Sequence, residues 1–222
     1  MMLSGIDIDR AIRRYAQLNG SEGAGMPSYA DRQKNAPVIN IDPFKESRMN
    51  PNSYNLTLHK HLKVYALAAN MMLIARHFPS QGVNPERPKT GPLSLDARKD
   101  TPTVDIEIPE EGIVLEPGVL YLGRTVEHTE AFNCVPSIEG RSSIGRLGIS
   151  VHLTAGFGDV GFCGTWTLEI AVVHPVRVYA GMEVCQICYH TVSEDHMDYK
   201  GRYLGQKDPT ASRLHQGDDN AD

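Results

Sequence analysis

The sequence predicts an all-β protein, a sandwich or a barrel, with one helix at its N-terminus. The main observation is that short β-branched or alternating segments recur from Val104 onward, with Gly- and Pro-containing turn signals between them. A second is that apolar residues follow helical spacing in the first eighteen residues. The length of 222 residues suits one substantial core, so we expect a single domain spanning residues 1–222.

The N-terminal helix is predicted from a cap and an apolar stripe. Ser4 can cap the helix, and Asp7 follows three residues later, which is the spacing of a capping box. The apolar stripe consists of Ile8, Ile12, Tyr15 and Leu18.

The next hundred residues mix strands with two long loops. "VINIDPF" (38–44) reads as a short strand, and "NPNSYNLTLHKHLKVY" (50–65) as one strand or a hairpin. Gly-, Ser- and Pro-rich composition predicts loop insertions near 20–37 and 66–104. Within the second, "LAANMMLIARHF" (67–78) fits either a strand or a short helix.

The remaining strands follow in close succession. They are "VDIEI", "IVLEPGVLYLGRTVEHT", "CVPSIEGR", "GISVHLTAG", "TWTLEIAVV" and "VRVYAGMEVCQICYHTV". The tail, near 198–222, is polar and is predicted to be mobile without a ligand.

Charge and composition exclude several classes of protein. The net charge of -5 does not favour binding to a nucleic-acid polymer, which needs a basic face. No apolar run reaches the roughly 18 residues of a membrane span, and the N-terminus lacks the apolar core of a signal peptide. The four cysteines are therefore expected to be reduced thiols of a cytoplasmic protein.

Cys185 and Cys188 form a C-x-x-C motif that has to be weighed as a metal site. A zinc deaminase needs H-x-E followed by P-C-x-x-C, and a structural zinc site needs a second ligand pair. Neither complete pattern occurs, and the run "MEVCQICYH" alternates like a strand, so the two side chains face opposite sides. We predict one in the core, the other on the far face, and no zinc.

The stretch "GFGDVG" (156–161) spells the dinucleotide-binding fingerprint G-x-G-x-x-G. That fingerprint requires a helix opening at its end, whose amides hold a pyrophosphate. The residues that follow are rich in Thr, Val and Ile and predict a strand, so the Rossmann interpretation is rejected.

The stretch "EGRSSIGRLG" (139–148) has the composition of a phosphate-binding loop. Glycines allow a close backbone approach, and serine hydroxyls and arginine forks bind phosphate oxygens. A polar turn between strands is the alternative. The serine hydrolase motif G-x-S-x-G is not spelled here.

Asp159 and Glu169 are the two acidic candidates. Asp159 lies between glycines, and Glu169 lies inside an apolar strand. A buried glutamate would suit proton transfer, since burial raises its pKa. The residues alone favour the solvent face for Glu169, and a structural role for His152.

Taken together, these stretches resemble the dCTP deaminase family, relatives of the trimeric dUTPases. The resemblance runs from "MMLSGIDIDRAI" through "LEPGVLYLGRTVEHT" and "EGRSSIGRLGISVHLTAGFGDVGFCGTWTLEI" to "GRYLGQKDPTASR". It covers nearly the whole chain except the two loop insertions. It implies a distorted jelly-roll β-barrel of the dUTPase-like type, and a homotrimer with active sites shared between subunits.

The resemblance also implies roles for individual residues. Glu169 would be the catalytic acid and base, while Ser142 and Arg146 would position the pyrimidine, the water and the ammonia. The substrate-binding residues would be Arg141, Ser143, Leu153, Ala155, Asp159, Thr167, Tyr199, Arg202 and Gln206. Of these, the last three belong to a lid that closes over the phosphates. Mg²⁺ would be held mainly by the triphosphate, and no zinc would be required.

The implied activity is the deamination of dCTP to dUTP and ammonia. The alternatives are a bifunctional enzyme that continues to dUMP and pyrophosphate, a plain dUTPase, and a nucleotide-binding regulator without catalysis. Gly156 and Phe157 stand where part of the family has a His-Arg pair, which leans towards the bifunctional enzyme. Arg202 stands where the lid usually has lysine, so the charge is kept but the geometry is not.

Overall fold

A computed structural model describes residues 1–18, 36–68, 70, 92, 94–193 and 195–217. Among these residues there is one long helix, α1 (Gly5–Leu18), and a single-turn helix, α2 (Ser142–Gly145). The strands are β1 (Val38–Asp42), β2 (Tyr54–Thr57), β3 (His61–Tyr65), β4 (Thr103–Glu107), β5 (Ile113–Leu115), β6 (Tyr121–Phe132), β7 (Cys134–Gly140), β8 (Ile149–Ser150), β9 (Cys163–Val172), β10 (Val176–Val178) and β11 (Glu183–Thr191).

These strands form antiparallel sheets around one hydrophobic core. The largest sheet has the order β4-β3-β6-β9-β8, with β1 also paired to β6. A second sheet has the order β2-β11-β7, and β5 pairs with β10. The predicted all-β class is confirmed.

The predicted cap of α1 is present. The Asp7 amide donates to Ser4 Oγ over 3.2 Å, and Ser4 Oγ donates to Asp7 Oδ2 over 2.7 Å. The bond from the Ser4 hydroxyl, together with one of 3.3 Å from the Ser4 amide to Asp7 Oδ2, holds the pKa of Asp7 below its usual value. On the inner face, Ile8 and Ala11 are fully buried, which fixes the helix against the core.

Two strand predictions need correction. Residues 50–65 form neither one strand nor a hairpin, because β2 pairs with β11 and β3 pairs with β4 and β6. In "GISVHLTAG" the strand ends at Ser150, where its pairing with β9 ends. Most of 20–37 and of 67–78 lies outside the described residues.

Strand β9, which pairs with β6 at the centre of the largest sheet, carries the predicted site residues Thr167 and Glu169. Along β9, Leu168 and Ile170 are buried in the core, whereas Thr167 and Glu169 are partly exposed on the other face. Because side chains alternate along a strand, residues 163, 165, 167 and 169 share that other face.

The tail packs on the first half of β9. Gly205 N donates to Cys163 O over 2.7 Å, and Thr165 N donates to Gln206 O over 2.9 Å. The tail therefore uses backbone groups of β9 at positions that β8 does not reach, since β8 pairs only with residues 171 and 172. Its mobility without substrate stays a prediction. In the described part of the chain no helix is long and apolar enough to cross a membrane.

All four cysteines are free thiols. Cys185 belongs to the core, and Cys188 is buried outside the main cluster, with its thiol 3.5 Å from the Ser137 carbonyl. Burial raises the pKa of both thiols. The two side chains thus lie on opposite faces of β11, as predicted, but the far face is covered as well.

Candidate active site

The glycines of "GFGDVG" are explained by packing. The segment runs antiparallel alongside β7: Ile138 N donates to Gly156 O over 2.6 Å, and Gly158 N donates to Pro136 O over 2.9 Å. A Cβ at Gly158 would lie 2.4 Å from the Trp166 ring. No helix follows, because β9 begins at Cys163, and the rejection of the Rossmann interpretation is confirmed.

Glu169 is held by the loop that precedes this segment. The Leu153 amide donates to Glu169 Oε2 over 2.9 Å. Glu169 points away from the core, as the residues alone suggested, but the 151–155 loop contacts it. The carboxylate is therefore oriented by a backbone donor and retains a second oxygen for chemistry.

The loop residues expected to read the base and the sugar are open to solvent. Leu153, Ala155 and Asp159 are exposed, and Leu153 is 56% exposed despite its apolar side chain. Exposure of this kind leaves their backbone and carboxylate groups accessible to a ligand.

The predicted phosphate-binding stretch forms the end of β7 and the single turn α2. Ser142, Ser143 and Arg146 are exposed there. Arg141 is partly buried, and it donates to the Glu183 carbonyl over 2.8 Å and lies 3.2 Å from Glu183 Oε2. Arg141 is thus oriented by β11, while the two serines and Arg146 remain available.

Glu183 connects Arg141 to a buried ion pair that sequence reasoning missed. Arg48 Nε lies 3.8 Å from Glu183 Oε1, and Arg48 Nη1 donates to Glu127. Glu127 has no solvent exposure, and it also accepts bonds of 2.8 Å from the Thr57 amide and hydroxyl. The chain Glu127–Arg48–Glu183–Arg141 therefore anchors the phosphate-binding stretch to the interior.

The lid residues make contacts within their own chain. Gln206 Nε2 donates to Thr165 O over 2.8 Å, and Thr167 Oγ1 donates to Gln206 Oε1 over 3.4 Å. Tyr199 stacks obliquely on Phe162 with ring centroids 6.2 Å apart. Arg202 donates to the carbonyls of residues 213 and 217.

The structure thus brings only some of the predicted residues together. Glu169 is hydrogen-bonded to Leu153, and Thr167 is hydrogen-bonded to Gln206. Both bonds lie at the partly exposed face of β9. Arg202 is engaged with the tail itself. Their roles towards a substrate stay predictions.

Arg124 is another residue that sequence reasoning missed. It lies opposite Thr167 in the β6–β9 register, and its Nε is buried 3.9 Å from Asp208 of the tail. Burial lowers its pKa. Nothing in the local pattern "LGRTVEHT" singled it out, because its neighbour Asp208 lies in the tail, far along the chain.

A cluster outside this site was also missed. His128, Glu130 and Cys163 lie at one end of the β6–β9 pair, and hydrogen bonds to Cys163 and Glu130 raise the pKa of His128 to about 9. His128 and Glu130 are two residues apart, but Cys163 is distant in sequence, so the strand register is needed to bring it to them.

The antiparallel sheets, the single long helix and the site on β9 define an all-β protein of the dUTPase-like type. A solved structure with a similar fold is the 2'-deoxycytidine 5'-triphosphate deaminase from Agrobacterium tumefaciens, with a TM-score of 0.51 and 17% identity. The match covers 86% of this chain and 48% of that chain, so this chain spans about half of its length. At this identity the likeness concerns the fold alone.

Sequence comparison identifies the family. The dCTP deaminase-like family model matches residues 27–192. Proteins named "dCTP deaminase, dUMP-forming" from Leptospira biflexa, Cytophaga hutchinsonii and Clostridium acetobutylicum are 50%, 51% and 49% identical over 179 residues. These matches cover 80% of this chain and 88–89% of the relatives. The chain belongs to the dCTP deaminase family.

Proposed function

We propose that this protein is a bifunctional enzyme that converts dCTP and two waters into dUMP, ammonia and pyrophosphate. The sequence favoured dUTP as the product and kept dUMP as the alternative. The names of the relatives at about half identity support the alternative instead. The Gly156–Phe157 pair, which stands where part of the family has His-Arg, also favours the bifunctional enzyme.

The observation that carries the deaminase step is the placement of Glu169. With Oε2 fixed by the Leu153 amide, the carboxylate can take a proton from water as that water attacks C4 of cytosine. The same carboxylate passes that proton to N3 and then transfers the proton of the new C4 hydroxyl to N4, so that cleavage of the C4–N4 bond releases ammonia and leaves the C4 carbonyl. One oriented carboxylate suffices, so the step needs no zinc.

The second step is the attack of water on the α-phosphorus, with pyrophosphate leaving. Arg141, Ser142, Ser143 and Arg146 supply charge and hydroxyl donors for the triphosphate. Mg²⁺ would arrive coordinated to the triphosphate and would stabilise the negative charge of the leaving pyrophosphate. Among the described residues, the cluster with metal-ligand spacing consists of His128, Glu130 and Cys163. This set of ligands does not suit Mg²⁺, which supports a Mg²⁺ ion that arrives bound to the substrate.

Assembly into a homotrimer would complete the site. Leu147, Leu153, Phe157 and Val173 flank the candidate residues and are large apolar side chains that are exposed, Phe157 by 70% and Val173 by 78%. Exposed apolar side chains on several neighbouring loops are typical of an interface. Residues that remain apart in one chain would then meet across subunits.

The Glu169→Gln variant tests the deaminase step. We expect ammonia release from dCTP to fall by about 10² to 10⁴-fold while dCTP still binds, because the amide keeps the shape but cannot transfer the proton. Ammonia assays and calorimetric titration with dCTP measure the two quantities. The matched control is Glu107→Gln, an exposed carboxylate on β4 that pairs with Lys60. Retention of more than half of the activity by Glu169→Gln would disprove the assignment.

A further inference from the structure

Three side chains with metal-binding atoms converge where β6 pairs with β9. Cys163 lies opposite Glu130 in the strand register, and His128 shares the face of Glu130 because it is two residues away. His128 Nε2 is 3.3 Å from Glu130 Oε1 and 3.5 Å from Cys163 Sγ. All three ligand atoms lie within 4.8 Å of one another.

These distances match the edges of a tetrahedral zinc site. Zinc bonds of about 2.05 Å to nitrogen and about 2.0 Å to oxygen place those two atoms about 3.3 Å apart. A zinc–sulfur bond of about 2.3 Å places sulfur about 3.6 Å from the nitrogen. These two distances therefore agree with a shared ion, and the sulfur lies within 4.8 Å of the carboxylate oxygen.

Neighbouring side chains hold Glu130 in place. Tyr15 donates to Glu130 Oε1 over 3.0 Å, and Asn40 Nδ2 donates to it over 3.2 Å. Such outer contacts orient metal ligands. The Glu130 side chain is 11% exposed and that of His128 34%, so the cluster is shielded but open to an ion.

We infer that His128, Glu130 and Cys163 bind a divalent transition-metal ion of the zinc class, with a fourth position for water. Thiolate, imidazole and carboxylate together suit Zn²⁺ and disfavour Mg²⁺. The ion replaces the proton between His128 and Glu130 and the proton of the thiol, so binding releases protons and strengthens as pH rises.

The role of this site is structural. Cys163 is six residues from Glu169 on β9, about 20 Å along the strand, so the ion does not reach the reacting atoms. The Cys163 carbonyl accepts from the Gly205 amide at the tail. A bound ion would therefore stabilise the junction of β6, β9 and the tail, and this inference does not depend on the proposed function.

The test is a titration of the full-length, metal-free protein with CoCl₂ and then ZnCl₂. We expect one Co²⁺ per chain with a thiolate-to-cobalt charge-transfer band, displacement by Zn²⁺, and a higher melting temperature. Cys163→Ser should abolish the band, and both this variant and His128→Ala should weaken Zn²⁺ binding at least about tenfold, since even outer-contact changes cost that much. Turnover of dCTP by the wild type should be the same with and without Zn²⁺.

Two controls make the result specific. Cys188→Ser and His61→Ala should retain the band, because Cys188 lies on β11 and His61 lies on β3, where its ring contacts His59. A band that survives Cys163→Ser, or that is lost in either control, overturns the inference. A wild-type protein that binds neither ion stoichiometrically overturns it whether or not the variants fold.

Discussion

Glu127 is a carboxylate with no solvent exposure whose charge is balanced by Arg48. A buried ion that loses its partner typically costs about 3–5 kcal/mol. We therefore expect Arg48→Met to lower the free energy of unfolding by about that amount, as measured by chemical denaturation. Arg10→Met is the matched control, since Arg10 is 70% exposed in its pair with Asp7. Equal stability of the two variants would contradict a stabilising role of the Arg48–Glu127 pair.

Gly158 tests the packing explanation of the glycine-rich loop. Gly158→Ala places a Cβ against the Trp166 ring and 3.0 Å from Pro136 Cγ, so we expect a loss of about 1–3 kcal/mol from overpacking. Gly140→Ala is the control, because a Cβ there meets nothing within 4 Å. Thermal melting of both variants measures the difference. If Gly158→Ala melts like Gly140→Ala, packing does not require the glycine.

At the scale of the elements, the tail is the segment with the clearest consequence. Truncation before Gly201 removes the bonds of Gln206 to Thr165 and Thr167 and exposes the edge of β9. We expect the oligomeric state to stay the same and kcat/KM for dCTP to fall on the order of 10²-fold, the cost of a misplaced substrate. Light scattering and steady-state kinetics of both chains measure this. An unchanged kcat/KM in a truncated protein of unchanged oligomeric state would show that the tail has no part in catalysis.

The strands show what local pattern can and cannot predict. The alternation in "TWTLEIAVV" predicted β9 and the orientation of Glu169, because both depend on neighbours in the sequence. The segment 50–65 was misread, because β2 pairs with β11, more than a hundred residues away. Partners at that separation leave no trace in a local pattern.

At the scale of the whole molecule, the same limit applies to the site. Resemblance named Glu169 and four residues of one motif, which are Arg141, Ser142, Ser143 and Arg146. The resemblance did not identify Arg48, Glu127 and Glu183, because they are linked by contacts between segments that are distant in sequence. The network ties residues 139–148 to the core, so we expect changes in it to affect both fold stability and the predicted phosphate contacts.

The central claim is tested most directly by product analysis. The full-length protein is incubated with dCTP and MgCl₂, and nucleotides, ammonia and pyrophosphate are quantified over time. The account predicts that dUMP, ammonia and pyrophosphate form in equal amounts and that dUTP does not accumulate. Accumulation of dUTP without pyrophosphate, or release of pyrophosphate from dUTP but no ammonia from dCTP, would contradict it.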